Sequence, residues 1–381
     1  RGPRPGVGRP SRVASPPRSM PAPSGHAKVP RRRADPPAPP PQIRAIHRLM
    51  HRALVTGGFG FLGSWIARQL LDEGVAVGVL ALPGEPRDNL RARDVDVHEG
   101  DLQDLDVCRR AVDGVDTVFH AAAIYSDWAP DPTLMYRVNL GGTFNVLEAA
   151  RRAAVQRVVY TASIVSLGRP QPGHLADEDT PYDAWDIDFP YSRSKYHSRE
   201  LAESFAAWGL DVRVVCPGVV LGPSDLRPTP SGKLILNVAG GLAPPAYFDG
   251  GTAYVDVRDA AAVHLLAARR GAPGRRYIAA AHNLSALDFI RAVQAACGAR
   301  RRLLKLPAAV ARAVARGYEA QARRTGQPPL FSRDFFEYSL RPGFYDSRRA
   351  RDELGAAFRP LDQTLADAIA DFRARGALPR E

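Results

Sequence analysis

Beyond position 50 the chain alternates two patterns. Short apolar runs rich in β-branched residues recur at 53–55, 75–81, 95–98, 117–119, 157–161 and 212–216, and stretches with helical spacing lie between them, notably at 62–71, 134–152 and 191–208. Six strands in βα order predict an α/β fold with a doubly wound parallel sheet and crossover helices. No fixed-period repeat runs across the units, which argues against a solenoid.

After position 216 the regularity loosens. Residues 222–230 are turn-rich, 233–237 and 254–257 are short apolar pieces, and helical patterns return at 259–269, 286–297, 308–323 and 363–373. The expected division is a dinucleotide-binding sheet domain at 50–221 plus 253–282, and a smaller, irregular C-terminal substrate lobe at 222–252 plus 283–381. In 308–323, Val310, Val314 and Tyr318 are separated by arginines. Packing on the second lobe is the favoured reading of that helix, ahead of a place on a membrane surface.

Charge changes the picture only at one end. The 381 residues carry +12, but residues 1–50 alone carry +10 together with 13 of the 34 prolines, leaving +2 for the remainder. Residues 1–49 therefore read as a disordered basic, Pro/Arg-rich extension, unable to bury enough apolar surface to offset chain entropy. An extension ahead of Met50 is favoured over a basic arm for nucleic acid or acidic lipid, since no aromatics interleave the arginines. Three cysteines, Cys108, Cys216 and Cys297, show neither metal-ligand spacing nor a disulfide framework, so no metal is expected and a reducing cytoplasm fits. No apolar run approaches the roughly 18 to 20 residues that cross a bilayer.

The chemistry begins at Thr56-Gly57-Gly58-Phe59-Gly60-Phe61-Leu62-Gly63, directly after the first strand. Gly57 permits a tight turn, Gly60 lets backbone approach a pyrophosphate and Gly63 lets helix and strand pack closely, with the diphosphate at the helix N-terminus near Phe61 and Leu62. At the second strand's end neither an acidic nor a basic residue stands; Arg87 follows, and the choice between NAD and NADP leans to NADP. Asp101, next to Leu102 after the third strand, reads as an acceptor for the adenine amino group or as a helix N-cap. Ala121, Ala122 and Ala123 end the fourth strand with small side chains that suit a cofactor wall.

Tyr191 and Lys195, four apart on a predicted helix, emerge on one face. A lysine cation and an oxidised nicotinamide would each favour phenolate, lowering a pKa that is ordinarily near 10. Ser163, just past the fifth strand, is favoured to hold the reacting oxygen, with Thr161 and Ser166 as alternatives. Tyr125, Trp128, Tyr247 and Phe248 would form an aromatic wall, and Lys233 is read as either a phosphate partner or a solvated lysine.

These residues resemble the extended short-chain dehydrogenases/reductases. The resemblance is carried by 56–63, Gly100-Asp101-Leu102, Tyr136 to Asn139 with Gly142-Thr143, 160–163, Tyr191 with Lys195, 217–223 and 254–259. The chain is most similar to the hopanoid-associated sugar epimerase group, through 129–132, 228–233, 245–247, Asp346-Ser347, Ala350 and 353–355. It departs from that group at Leu82, where an arginine is usual, and at Ala162, which replaces a serine.

The resemblance implies a Rossmann fold, bound NAD or NADP, and a Ser-Tyr-Lys set on Ser163, Tyr191 and Lys195. It further implies support from Asn139 toward Lys195, Pro217-Gly218-Val219 against the nicotinamide, and a homodimer through the fourth and fifth helices. The expected activity is epimerase/dehydratase-type hydride transfer at a carbinol or carbonyl carbon of a small molecule. A dihydroflavonol-reductase-like ketone or aldehyde reductase is the alternative, and a non-catalytic dinucleotide sensor is a third reading.

Overall fold

The computed structural model describes residues 50–379, apart from 127, 244, 245, 328, 330 and 331, together with Gly2. The expected extension at 1–49, Gly2 aside, and Pro245 of the 245–247 motif lie outside the described residues.

Six strands occupy the six apolar runs: β1 (Arg52–Thr56), β2 (Ala76–Ala81), β3 (Asp96–Glu99), β4 (Thr117–His120), β5 (Arg157–Thr161) and β6 (Val212–Pro217). Between them lie α1 (Phe61–Asp72), α2 (Leu105–Ala111), α3 (Thr133–Tyr136), α4 (Thr143–Arg152) and α5 (Pro190–Ala207). The single helix expected over 134–152 is interrupted by a π-turn at Arg137–Gly142, between α3 and α4. Periodicity alone could not show this, because the cause is tertiary: the Asn139 side chain is drawn inward to backbone partners across the fold.

The chain continues with β7 (Val219–Leu221), α6 (Pro230–Ala239), β8 (Ala246–Tyr247), β9 (Gly251–Asp256), α7 (Val257–Arg270), β10 (Arg276–Ala279) and β11 (His282–Ser285). It ends with α8 (Ala286–Ala296), β12 (Leu304–Lys305), α9 (Ala308–Thr325), α10 (Arg333–Leu340), α11 (Arg348–Leu354) and α12 (Leu361–Ala374). β10 joins β6 as a seventh strand that the apolar pattern had not singled out, and the order is β3-β2-β1-β4-β5-β6-β10, parallel throughout. A separate three-stranded sheet has the order β11-β9-β7.

Helices cover both faces of the large sheet, as an all-parallel sheet requires. On one face α2, α4 and α5 bury Cys108, Leu147 and Phe205 with Leu54, Val118 and Tyr160 of the strands. On the other, α1, α7 and α11 bury Ile66, Leu70, Leu265 and Leu354 with Val55, Val79 and Tyr277. Fully buried side chains such as Ile66 and Leu70 contribute about 2 kcal/mol each. A third cluster, with Ile235, Phe289, Val293, Leu365 and Phe372, forms the core under α6, α8 and α12.

The order of strands places the reversal of winding between β1 and β4, and ligands of open α/β sheets gather at the carboxyl edge of that point.

Candidate active site

The turn after β1 is built by close approach. Gly57 has φ of 68°, and a Cβ there would stand 2.9 Å from Cα of Ala122. A Cβ at Gly63 would reach 2.1 Å from the Gly57 carbonyl, so the start of α1 packs directly on the turn. Gly58, which the sequence reading passed over, faces Val79 of β2 with a Cβ distance of 2.8 Å. Gly60 N-caps α1 without any side-chain hydrogen bond, which leaves first-turn N–H groups of Phe61, Leu62 and Gly63 without intrahelical acceptors. A cradle of this kind fits a diphosphate.

A hydrogen-bonded chain runs from this turn into the sheet. The Ala122 N–H donates to Thr56 Oγ1 at 3.2 Å, and Thr56 Oγ1 lies 2.7 Å from His120 Nδ1. His120 Nε2 lies 3.0 Å from Thr143 Oγ1, whose hydroxyl donates to the Asn139 carbonyl at 2.5 Å. With that donor fixed, Thr143 Oγ1 accepts from His120 Nε2–H, and in the neutral ring Nδ1 accepts from the Thr56 hydroxyl. Burial, reinforced by the Lys195 cation, holds His120 down at about 3.

Asn139, in the π-turn, accepts from the Ile124 N–H at 2.7 Å and donates to the Ile124 carbonyl at 2.9 Å and to Ser194 Oγ at 3.0 Å. It thus ties the loop after β4 to α5, one residue from Lys195. π-turns recur at functional sites because the extra residue re-aims a side chain. The adjacent Gly142 admits Leu102, whose Cδ1 would be 1.6 Å from a Cβ there. Asn145 Nδ2 in turn donates to the Leu102 and Gln103 carbonyls.

Tyr191 and Lys195 leave the first turns of α5, which starts at Pro190, a residue suited to that position. Lys195 is buried, and its Nζ donates to the Thr161 carbonyl at 2.7 Å and to the Tyr160 hydroxyl at 3.4 Å. Burial brings its pKa down to about 8. The expected lowering of the Tyr191 phenol by Lys195 is not found: burial pushes Tyr191 up to about 12, the Ser163 hydroxyl pulls it down by hydrogen bonding, and the Tyr338 phenol adds to the rise. The ammonium is instead spent on the β5 carbonyl, and Ser163 is the group that meets the phenol.

Of the three candidate hydroxyls, geometry separates one. Thr161 Oγ1 is buried 2.9 Å from His264 Nε2, and Ser166 donates to the Ser163 carbonyl at 2.6 Å. Thr161 therefore serves Lys195 through its carbonyl rather than through its side chain. Ser163 keeps a half-exposed hydroxyl that also accepts from Val165 N–H at 3.3 Å.

Other sequence expectations fall into place unevenly. Asp101 does not cap α2; Asp104 does, accepting from Asp106 N–H at 2.8 Å. Both Asp101 oxygens accept from Gln103. Arg87 pairs with Glu99 and lies 5.8 Å over the Phe59 ring. Gly218 is required by packing, a Cβ there falling 2.6 Å from the Ala253 carbonyl. Tyr125 meets Tyr191 edge-on at 4.6 Å between centroids. Trp128 is partly buried, Tyr247 sits in β8, and Lys233 is exposed on α6. Sequence reasoning missed Tyr338 and Phe189, whose rings meet at a tilt of 51° with centroids 5.0 Å apart, Phe189 lying 6.0 Å from the Tyr191 ring. The FFxY run of 335–338 on a short helix was the available signal.

A seven-strand parallel sheet in this order, with a glycine turn at its reversal point, defines a Rossmann-type dinucleotide-binding fold. The profile of the NAD dependent epimerase/dehydratase family matches residues 53–280, and the chain belongs to that family of NAD(P)-dependent extended short-chain dehydrogenases/reductases. A Synechocystis sp. protein provisionally named dihydroflavonol 4-reductase is 34% identical over 326 residues, covering 84% of this chain and 94% of its own. Sterol demethylase protein B of Methylococcus capsulatus is 32% identical over 327 residues, 85% of this chain and 99% of that one. The crystal structure of gox2253 superposes with a TM-score of 0.77 at 36% identity, covering 86% of this chain and 99% of that one.

Proposed function

We propose that this protein is an NAD(P)H-dependent reductase of a ketone or aldehyde on a small, largely apolar molecule, with Tyr191 as proton donor. The observation that carries this reading is the Tyr191 phenol, buried against the Tyr125 and Phe189 rings at 4.6 and 6.0 Å between centroids, where burial favours its protonated form. A protonated phenol at neutral pH donates to a developing alkoxide, which is the role reduction demands. When bound, a nicotinamide supplies the hydride.

In this reading Gly57, Gly60, Phe61, Leu62 and Gly63 hold the diphosphate, Asp101 and Leu102 the adenine, and Ala121, Ala122 and Ala123 the wall between them. Lys195 and Pro217-Gly218-Val219 hold the nicotinamide end. Ser163 orients the reacting oxygen, and Asn139 is a positioning residue that fixes α5. Arg87, exchanging Glu99 for a 2′-phosphate, selects NADP. Tyr125, Trp128 and Tyr247 line the substrate side. Relatives named for dihydroflavonol reduction and sterol demethylation support an apolar ring system as substrate.

A second reading, epimerase/dehydratase turnover of the hopanoid-associated sugar epimerase kind, is favoured by the motifs at 129–132, 228–233 and 346–355. It would return the hydride to the same substrate and keep the nicotinamide bound, with Lys233 on a phosphate. Nicotinamide content of the purified protein separates the two. An empty protein that oxidises NADPH with an aryl or alicyclic ketone supports reduction; tightly held NAD that survives dialysis, with no net NADPH consumption, overturns it.

A further inference from the structure

Helix α9 has an apolar face that no described residue covers. Its inner side is made of alanines, Ala311, Ala315 and Ala322, and it is tied to α10 by Arg312, whose Nε and Nη2 donate to Glu337 at 2.6 and 3.0 Å. The outer side presents Ala309, Val310, Ala313, Val314 and Gly317, all exposed, with the valines 48% and 42% accessible. Their spacing of three and four residues puts them on one stripe. The expectation that this stripe packs on the lobe therefore fails for the valines: small alanines already fill the inward side, and the larger side chains are turned out.

The segment that leads into this helix, residues 300–307, is cationic and also apolar. A groove of about 590 Å³ is lined by Arg291, Arg300, Arg301 and Arg302 together with Gln294 and Gly298. Arg301 donates to the Gly241 carbonyl at 2.6 Å, beside Leu242, which is 79% exposed. Leu304, 59% exposed, stands opposite Ala246 where β12 pairs with β8, and Pro307 then caps α9. Lys305 and Arg312 have carboxylate partners, Asp249 and Glu337. Among the described residues, Arg300, Arg301, Arg302 and Arg316 have none.

We propose that this face, comprising the α9 stripe, Leu242, Leu304 and the arginines at 300–302, docks on an anionic lipid bilayer. The helix would lie in the interfacial plane with its valines at the acyl boundary and the arginines among headgroup phosphates. Charge complementarity selects this occupant. A second copy of the same face would set arginine against arginine, and a single-stranded nucleic acid would call for stacking rings where valine and leucine stand.

The test is flotation of the full chain with vesicles of phosphatidylcholine, with and without phosphatidylglycerol. Association is expected only with phosphatidylglycerol and should weaken with salt. Because residues 1–49 are themselves basic, the decisive variants lie in the lobe. Each Arg→Gln at 300, 301 or 302 should weaken association about fivefold, and Val310→Asp with Val314→Asp should abolish it with circular dichroism unchanged. Val314→Leu, which keeps the helix and enlarges the apolar stripe, should strengthen it. The proposal is overturned if the chain ignores anionic vesicles, if it binds an oligonucleotide and not vesicles, or if the lobe variants float like the unaltered chain.

Discussion

At the scale of single residues the site is defined by what each polar group is already bonded to. Ser163 is the group that pulls the Tyr191 phenol down against burial, whereas Lys195 is committed to Thr161 and Tyr160. Tyr191→Phe should lower turnover by roughly 10² to 10⁴, as expected for loss of a proton-transfer group, while NADPH binding measured by fluorescence persists. In the alcohol-oxidising direction the phenolate is required, so the rate should climb with pH on the alkaline side. Ser163→Ala removes the hydrogen bond that stabilises phenolate and should move that limb to higher pH in the measured profile. The buried imidazoles give a stability prediction with a definite sign. His120 is held down at about 3 and His264 at about 4, both by burial, so the unfolded chain binds more protons below the ordinary histidine value. Stability is complete above about 6.5 and should fall as pH drops through 6.5 toward these values, as read by urea unfolding. His120→Gln should flatten the slope. Tyr191, Lys195 and Ser163 were legible in the sequence because their spacing on a helix and at a strand end is local. His120 was not, since its partners Thr56 and Thr143 come from different elements.

At the scale of elements, glycines and the π-turn set the backbone where the site needs it. Gly63→Ala places a methyl group 2.1 Å from the Gly57 carbonyl, against backbone that has no flexible end to yield. It should destabilise the fold by about 1–3 kcal/mol, seen as a lower denaturation midpoint, and should weaken NADPH binding more than it weakens the fold. Asn139→Ala removes three hydrogen bonds to Ile124 and Ser194. It should lower turnover without abolishing it and leave NADPH affinity nearly unchanged, if its task is to position α5. Strands β1, β2, β4, β5 and β6 were readable as apolar runs because both faces of the parallel sheet are buried there, whereas the edge strand β3 is largely open. β10 was less so: its four residues RYIA are short, and its membership is set by pairing with β6 rather than by pattern. The break in 134–152 had a local hint in Gly141-Gly142, but the residue that exploits it, Asn139, does so through Ile124, fifteen positions away.

At the scale of the whole molecule the chain after residue 340 is folded back onto both layers. Tyr345 is buried in the α2/α4/α5 face of the sheet and donates to the Ile164 carbonyl at 3.1 Å, while Ala350 and Leu354 are buried on the opposite face. Asp256 caps α7 and holds Arg258 together with the Thr364 hydroxyl at 2.9 Å; Asp259 accepts from the Arg359 N–H at 2.6 Å. Phe144 on α4 and Trp208 just after α5 remain exposed, and a homodimer through these helices is proposed on that ground. Light scattering should then report a dimer that Phe144→Arg with Trp208→Glu converts to monomer; a monomeric unaltered chain would discard it. Local pattern was enough for the parallel sheet, the glycine turn and the Tyr–Lys pair, since strand burial, turn conformation and helix spacing are properties of contiguous residues. The state of the phenol, the engagement of the Thr161 hydroxyl by His264, and the outward turn of the α9 valines came from neighbours distant in the chain. Desolvation and hydrogen bonding depend on which groups the folded chain brings within a few ångströms, and sequence spacing does not carry that distance.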